Sequence, residues 1–258
     1  MANGFYFDGT GIVAGNAIQG TSSYANYAQT IFPFTGSARF SGSMVIEGSG
    51  SKNFAGGSGS LAGGSNSSAS GLFSLAFGGH ARSSGIASFA SGTGSTAQGN
   101  FSLAIGSGST ATAVASIATG VSSSANGLGA VAVGSRTIAL STGCIAAGLS
   151  TRAEQSYATT FGNATSASAE YQIACGVFNV TNTTTSTTAG YRPFIVGIGS
   201  SNTARVNAFE VVMTTANTAG TIVLPTIPAG AGAAPASVTG IPGAVWKDTS
   251  AGNTLKIV

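Results

Sequence analysis

Charge is scarce in this sequence: of 258 residues, six are Asp or Glu and nine are Lys or Arg. The charged share of 6% falls far below the roughly 25% of a soluble globular domain. The six carboxylates (Asp8, Glu47, Glu154, Glu170, Glu210, Asp248) lie far apart, so no acid/base pair is visible and none flanks a glycosidic bond. The one histidine, His80, follows Gly78–Gly79 in what reads as a solvent-facing turn, with no nucleophile placed for it. No enzyme activity, metal or cofactor is expected. The nine basic residues form no cluster, which argues against nucleic acid as a partner. Two cysteines, Cys144 and Cys175, make neither a disulfide framework nor a zinc spacing and read as small buried hydrophobes. No run reaches the roughly 18 apolar residues of a spanning helix, and the N-terminus has no basic and apolar leader pattern. Neither membrane insertion nor secretion is expected; synthesis is expected in a cytoplasm.

What fills the chain instead is small residues in register. Glycine falls at 64, 78, 92, 106, 120, 134, 148, 162 and 176, every fourteenth residue. The half-steps carry Gly57, Gly71, Gly85, Gly99 and Gly127. Alanine stands two residues before these marks from Ala55 to Ala174, with only Ser83 and Thr160 departing. A seven-residue period could be a coiled coil, but that needs large apolar residues twice per heptad. Here almost every heptad has a helix-weakening glycine among Ser and Thr. Short strands separated by tight turns fit better.

Alternation along a strand then sorts the side chains. Positions two and four before each glycine share one face and are small, Ala with Ser, so that face points into a narrow lumen. Positions three and one before it face outward, and the two half-turns differ. One carries Leu75 and Phe77, Leu103 and Ile105, Ile117, Val131 and Val133, Ile145, and Ile173. The other carries Ser68 and Ser70, Arg82 and Ser84, Thr96 and Gln98, Thr110 and Thr112. The true repeat is therefore 14. Ile138 and Leu140 interrupt the polar wall without explanation. Residues 51–176 are predicted to be nine turns of an all-β, parallel β-roll.

An apolar stripe on the outside of a roll requires a cover. Eight or so turns at roughly 150 Å² each expose about 1,200 Å², beyond the few hundred typical of monomers. The same stripe on identical chains around a cyclic axis is the simplest cover. The predicted inter-chain seam is Leu75, Phe77, Phe89, Leu103, Ile105, Ile117, Val131, Val133, Ile145 and Ile173.

The units SLAFG, SFASG, SLAIG, SIATG, AVAVG and QIACG, spaced by GSGSTAT or GTGSTAQ, resemble the YadA-like head repeat of trimeric autotransporter adhesins. The resemblance covers 51–176, about half the chain. It implies a left-handed roll and a homotrimer; the period alone gives neither the hand nor the number three.

The flanks lose the period. Residues 177–258 open with a Thr-rich transition, then strand-like runs at 194–198, 206–213 and 221–224, in a C-terminal β and loop module. FIVGIGSSNTARVNAFEVVM resembles the segment that closes such rolls in phage fibre proteins. The tail from LPT to VWKD and TLK is similar to a C-terminal module of phage virion proteins. Its prolines Pro225, Pro228, Pro235 and Pro242 mark a loop-rich stretch, and Trp246 reads as a packing anchor for a final hairpin. Residues 1–50 hold a denser aromatic set, including Phe5, Tyr6, Phe7, Tyr24 and Tyr27, and are expected to dock on other virion proteins.

Together these resemblances imply a trimeric virion structural protein of a bacteriophage, a short fibre or spike that attaches to the host through a surface glycan or protein. Two alternatives stay open: a head fibre decorating the capsid, and a bacterial trimeric autotransporter adhesin head. The last calls for a secretory signal, a heptad stalk and membrane-anchor strands, none of which is read in these 258 residues.

Overall fold

The computed structural model of the chain describes residues 44–47, 53–186, 188–215, 219–223, 229–230, 245–248 and 254–257. The described residues form strands and connections, with no helix among them. They build a parallel β-solenoid in which each coil has one longer and one shorter strand. The longer strands stack into a thirteen-stranded sheet and the shorter ones into a nine-stranded sheet.

The 14-residue period is the stacking register itself. Ile117 pairs with Val131 and Val131 with Ile145, while Ala118, Ala132 and Ala146 form the neighbouring column. On the short strands Thr96, Thr110 and Ser124 stand in register. Because equivalent residues stack, each column repeats one steric environment, and the sequence repeats to match. The inward columns are fully buried: Ala62, Ala76, Ala90 and Ala104 behind the long strands, Ala69, Ala97, Ala111 and Ala125 behind the short ones. Both departures from alanine stay inside. Ser83 is fully buried with its Oγ 2.6 Å from Ser88 Oγ, and Thr160 is also fully buried.

Two corners per coil close the ring, and both use left-handed backbone. One corner column includes His80, Ser122, Arg136 and Ser150; the other includes Phe73, Phe101, Tyr157 and Tyr171, all with φ between 52° and 59°. This region is uncommon for residues other than glycine. The compensation is visible in the hydrogen bonds. His80 N donates to Ser65 O at 2.8 Å, Phe101 N to Ile86 O at 2.8 Å, and Tyr157 N to Thr142 O at 2.9 Å. Each corner amide thus reaches the coil before it, a bond that a right-handed corner would not aim along the stack.

The ladder extends beyond 51–176 at both ends. Met44–Glu47 pairs in parallel with Leu61–Gly64. After Ile173–Val177 the chain makes an excursion and returns as Phe194–Ile198, parallel and in register, with Ile173 opposite Phe194. Then Asn207–Thr215 and Ala219–Val223 add antiparallel strands. All three strand-like runs expected after 177 are therefore strands. In this last rung Ile195 replaces the lumen alanine and is fully buried beside fully buried Gln172. The Gln172 Nε2 donates to Arg192 O at 2.8 Å, and its Oε1 accepts from Ser168 N at 2.8 Å.

Asparagines cap both ends of one lumen column. Asn53 Oδ1 accepts from Ser67 N at 2.8 Å, and Asn53 Nδ2 donates to Gly64 O at 2.9 Å. At the other end Asn179 Oδ1 accepts from Ser166 N at 2.7 Å, and its Nδ2 donates to Ser166 O at 2.9 Å. A carboxamide carries both a donor and an acceptor, so it pairs with the backbone of the adjoining coil as another strand would. Farther on, Val245–Asp248 pairs antiparallel with Thr254–Ile257 and parallel with Ala229–Gly230. The expected final hairpin exists; the side chain of Trp246 and all four tail prolines lie outside the described residues, as do the aromatics of 1–40.

Candidate functional site

With the lumen filled by methyl and hydroxymethyl groups, anything the solenoid does to another molecule must be done by its outer walls. The long-strand wall is apolar. Leu75, Phe89, Leu103, Ile117, Val131 and Ile145 follow one another in a single column. Thr159 interrupts it, and Ile173 and Phe194 resume it. Phe77, Ile105 and Val133 belong to the parallel column two residues on, which ends at Cys175 and Val196. The structure therefore brings all ten residues expected at the seam onto one wall. None is buried by the chain's own fold: each is half-buried or exposed, from Leu75 at 36% to Val133 at 42% among the exposed ones. The Phe77 and Phe89 rings lie 6.3 Å apart, so neighbouring coils make contact along the wall.

The apolar surface is wider than the strand pattern predicts. At the corner leading into each long strand stand Leu72, Phe73, Ile86, Phe101, Val114 and Leu128, all exposed, with Phe101 at 65%. Tyr157 and Tyr171 continue the column with rings stacked at 5.3 Å and 5°. A sequence signal was present, since these residues come one or two places after the half-step positions, most of them glycine. Strand alternation does not assign a face to a corner residue, so the column was missed.

The short-strand wall is polar, with Ser68, Ser70, Arg82, Ser84, Thr96 and Gln98 lining one shallow depression of about 400 Å³. Thr112 Oγ1 donates to Asn126 Oδ1 at 3.1 Å, and Arg152 Nε lies 2.5 Å from Glu154 Oε1. Ile138 and Leu140 sit half-buried on this wall, and nothing in the structure explains them.

Reactive groups do not converge. His80 is exposed at its corner. Cys144 replaces a lumen serine and is fully buried; burial pushes its thiol up, and burial also raises that of half-buried Cys175. Neither thiol has the lowered pKa of a primed nucleophile. Among the described residues no three His, Cys, Asp or Glu side chains gather as metal ligands, and no helix is long and apolar enough to cross a membrane.

No family model matches the chain, and no curated protein matches it in sequence.

Proposed function

We propose that the chain is a structural protein of a bacteriophage particle, a short fibre or spike assembled as a homotrimer and used in attachment to the host. The observation that carries this reading is the mainly apolar long-strand wall that runs from Leu75 to Phe194, broken by Thr159 in its first column, on a solenoid whose other wall is mainly polar. A wall of this kind on a lone chain exceeds the apolar patch that monomers tolerate. Its straightness and periodicity suit a copy of itself, because identical columns interdigitate coil by coil around a cyclic axis. The number three and the left-handed winding rest on the resemblance of the repeat to trimeric adhesin heads. The virion assignment rests on the resemblance of residues 194–213 and of the tail to phage fibre and virion modules.

A second reading within the same class is a head fibre decorating the capsid. Antibody raised against the chain separates the possibilities by electron microscopy of intact particles. Label at the tail tip together with blocked adsorption supports attachment; label spread over the capsid supports decoration. Particles that bind no antibody and contain none of the chain overturn the virion assignment.

A further inference from the structure

The corner column that holds Arg136 also carries, one coil apart each, Ser150, Ala164 and Phe178, all in left-handed backbone. Beside its last members lies the loop that joins Phe194–Ile198 to Asn207–Thr215, and this loop brings Arg205 against the roll. Arg205 Nη1 donates to Ala164 O at 2.9 Å and to Asn179 O at 3.0 Å, and Nη2 donates to Asn202 Oδ1 at 2.8 Å. The guanidinium carbon stands 6.0 Å from the centroid of the Phe178 ring. A cleft of about 390 Å³ opens there, lined by Arg136, Leu149, Asn163, Phe178, Asn202 and Arg205, with Ser150 and Ala164 at its floor.

The geometry points to this cleft as a binding site for a carboxylated sugar. The first reason is charge. Of the arginines in the described residues, Arg152 and Arg192 are paired with Glu154 and Glu210. Arg82, Arg136 and Arg205 have no carboxylate partner among the described residues; Arg82 stands alone in the depression of the polar wall, whereas Arg136 and Arg205 line one cleft that no carboxylate lines. Two uncompensated guanidinium groups in one small depression, in a chain with nine basic residues, attract an anion.

The second reason is preorganisation. Three of the five N–H groups of Arg205 are fixed by carbonyl oxygens, which holds its plane still and leaves the remaining donors for a ligand. A fixed guanidinium fork matches the two oxygens of a carboxylate. The third reason is the rest of the lining. Carboxamides of Asn163 and Asn202 and the hydroxyl of Ser150 can both donate to and accept from ligand hydroxyls. Leu149 and the Phe178 ring offer apolar contact to the C–H face of a pyranose. The volume lies at the small end of ligand sites, the scale of one sugar unit. Two cations are too few for a nucleic-acid track, whose affinity grows with the number of phosphates neutralised.

The site deepens the attachment reading by naming the receptor chemistry, and only its role as a receptor site rests on that reading; binding itself is a property of the purified chain. Titration calorimetry of the full chain at low salt, with glucuronate, N-acetylneuraminate, glucose and inorganic phosphate as probes, tests it. At least one acidic sugar binds, glucose and phosphate bind at least about tenfold more weakly, and Arg136→Ala lowers acidic-sugar affinity by about tenfold or more. Arg136 makes no side-chain hydrogen bond within the described residues, so this variant keeps the wild-type unfolding midpoint. Failure of both acidic sugars to bind, phosphate binding as tight as sugar, or an unchanged affinity in Arg136→Ala overturns the site. An antibody that labels no particle while acidic sugar still binds defeats the attachment reading alone.

Discussion

At Gly120 the backbone has φ of +116°, and a Cβ there would stand 1.9 Å from the carbonyl oxygen of Gly134 in the next coil. The stacked turns thus exclude a side chain by contact as well as by torsion. Gly120→Ala is expected to cost about 3 kcal/mol in denaturant unfolding, in the range of steric and backbone-strain substitutions. Two places earlier along the strand, Ala118 is fully buried in the lumen. Ala118→Leu has no space to expand into and is expected to lose about 3 kcal/mol by overpacking, whereas Thr119→Leu, pointing outward, leaves the unfolding midpoint nearly unchanged. A pH effect belongs to this scale too. The Tyr191 hydroxyl donates to Glu170 O at 2.5 Å, and burial, aided by nearby Glu170 and Tyr171, pushes it from 10 up to about 12. The folded state therefore holds this proton more tightly than the unfolded chain. Its contribution is complete below pH 10 and is lost between pH 10 and about 12. Tyr191→Phe should flatten the fall in stability across that window, read as unfolding midpoint against pH.

Elements of this fold are held by their neighbours more than by themselves, and the ends show it. Asn179 gives the last short strand the partner it would otherwise lack, through bonds to both Ser166 N and Ser166 O. Asn179→Ala leaves those buried backbone groups unpaired and is expected to cost about 2 kcal/mol. Hydrogen exchange should quicken at Ser166 and stay slow at Ala111 and Ala125; uniform quickening would contradict a local cap. This dependence also explains what the sequence reveals and what it hides. The lumen columns are legible because a steric limit recurs every seven residues and nearly every residue that meets it is Ala, Ser or Thr, Cys144 and Gln172 being departures. The corners are not, because Phe101, Tyr157 and Arg136 adopt left-handed backbone through a bond to the preceding coil, and no residue type announces that bond. The strand at Phe194–Ile198 is legible, but its place in the parallel ladder is not: the excursion after Val177 breaks the spacing, although the strand returns in register. Arg136 and Arg205 are remote in sequence and line one cleft only because the loop after that returning strand lies against the roll.

At the scale of the whole molecule, the two walls have opposite characters, and only one needs company. The polar wall satisfies itself with water and with pairs such as Thr112 and Asn126. The apolar wall, widened by Leu72, Phe73, Ile86 and Phe101, gains by burial at roughly 25 cal/mol per Å² before association costs. A charge placed in its middle tests where the seam runs. In the proposed trimer, Ile117→Asp should separate the chains, since an unpaired buried carboxylate is strongly unfavourable, while Thr110→Asp on the polar wall should leave association unchanged.

Sedimentation equilibrium of the purified full-length chain measures the association directly. A single species of three times the chain mass, unchanged on dilution through the micromolar range, is the predicted result. A stable species of one chain mass throughout that range would contradict the claim that the Leu75-to-Phe194 wall is a seam between copies.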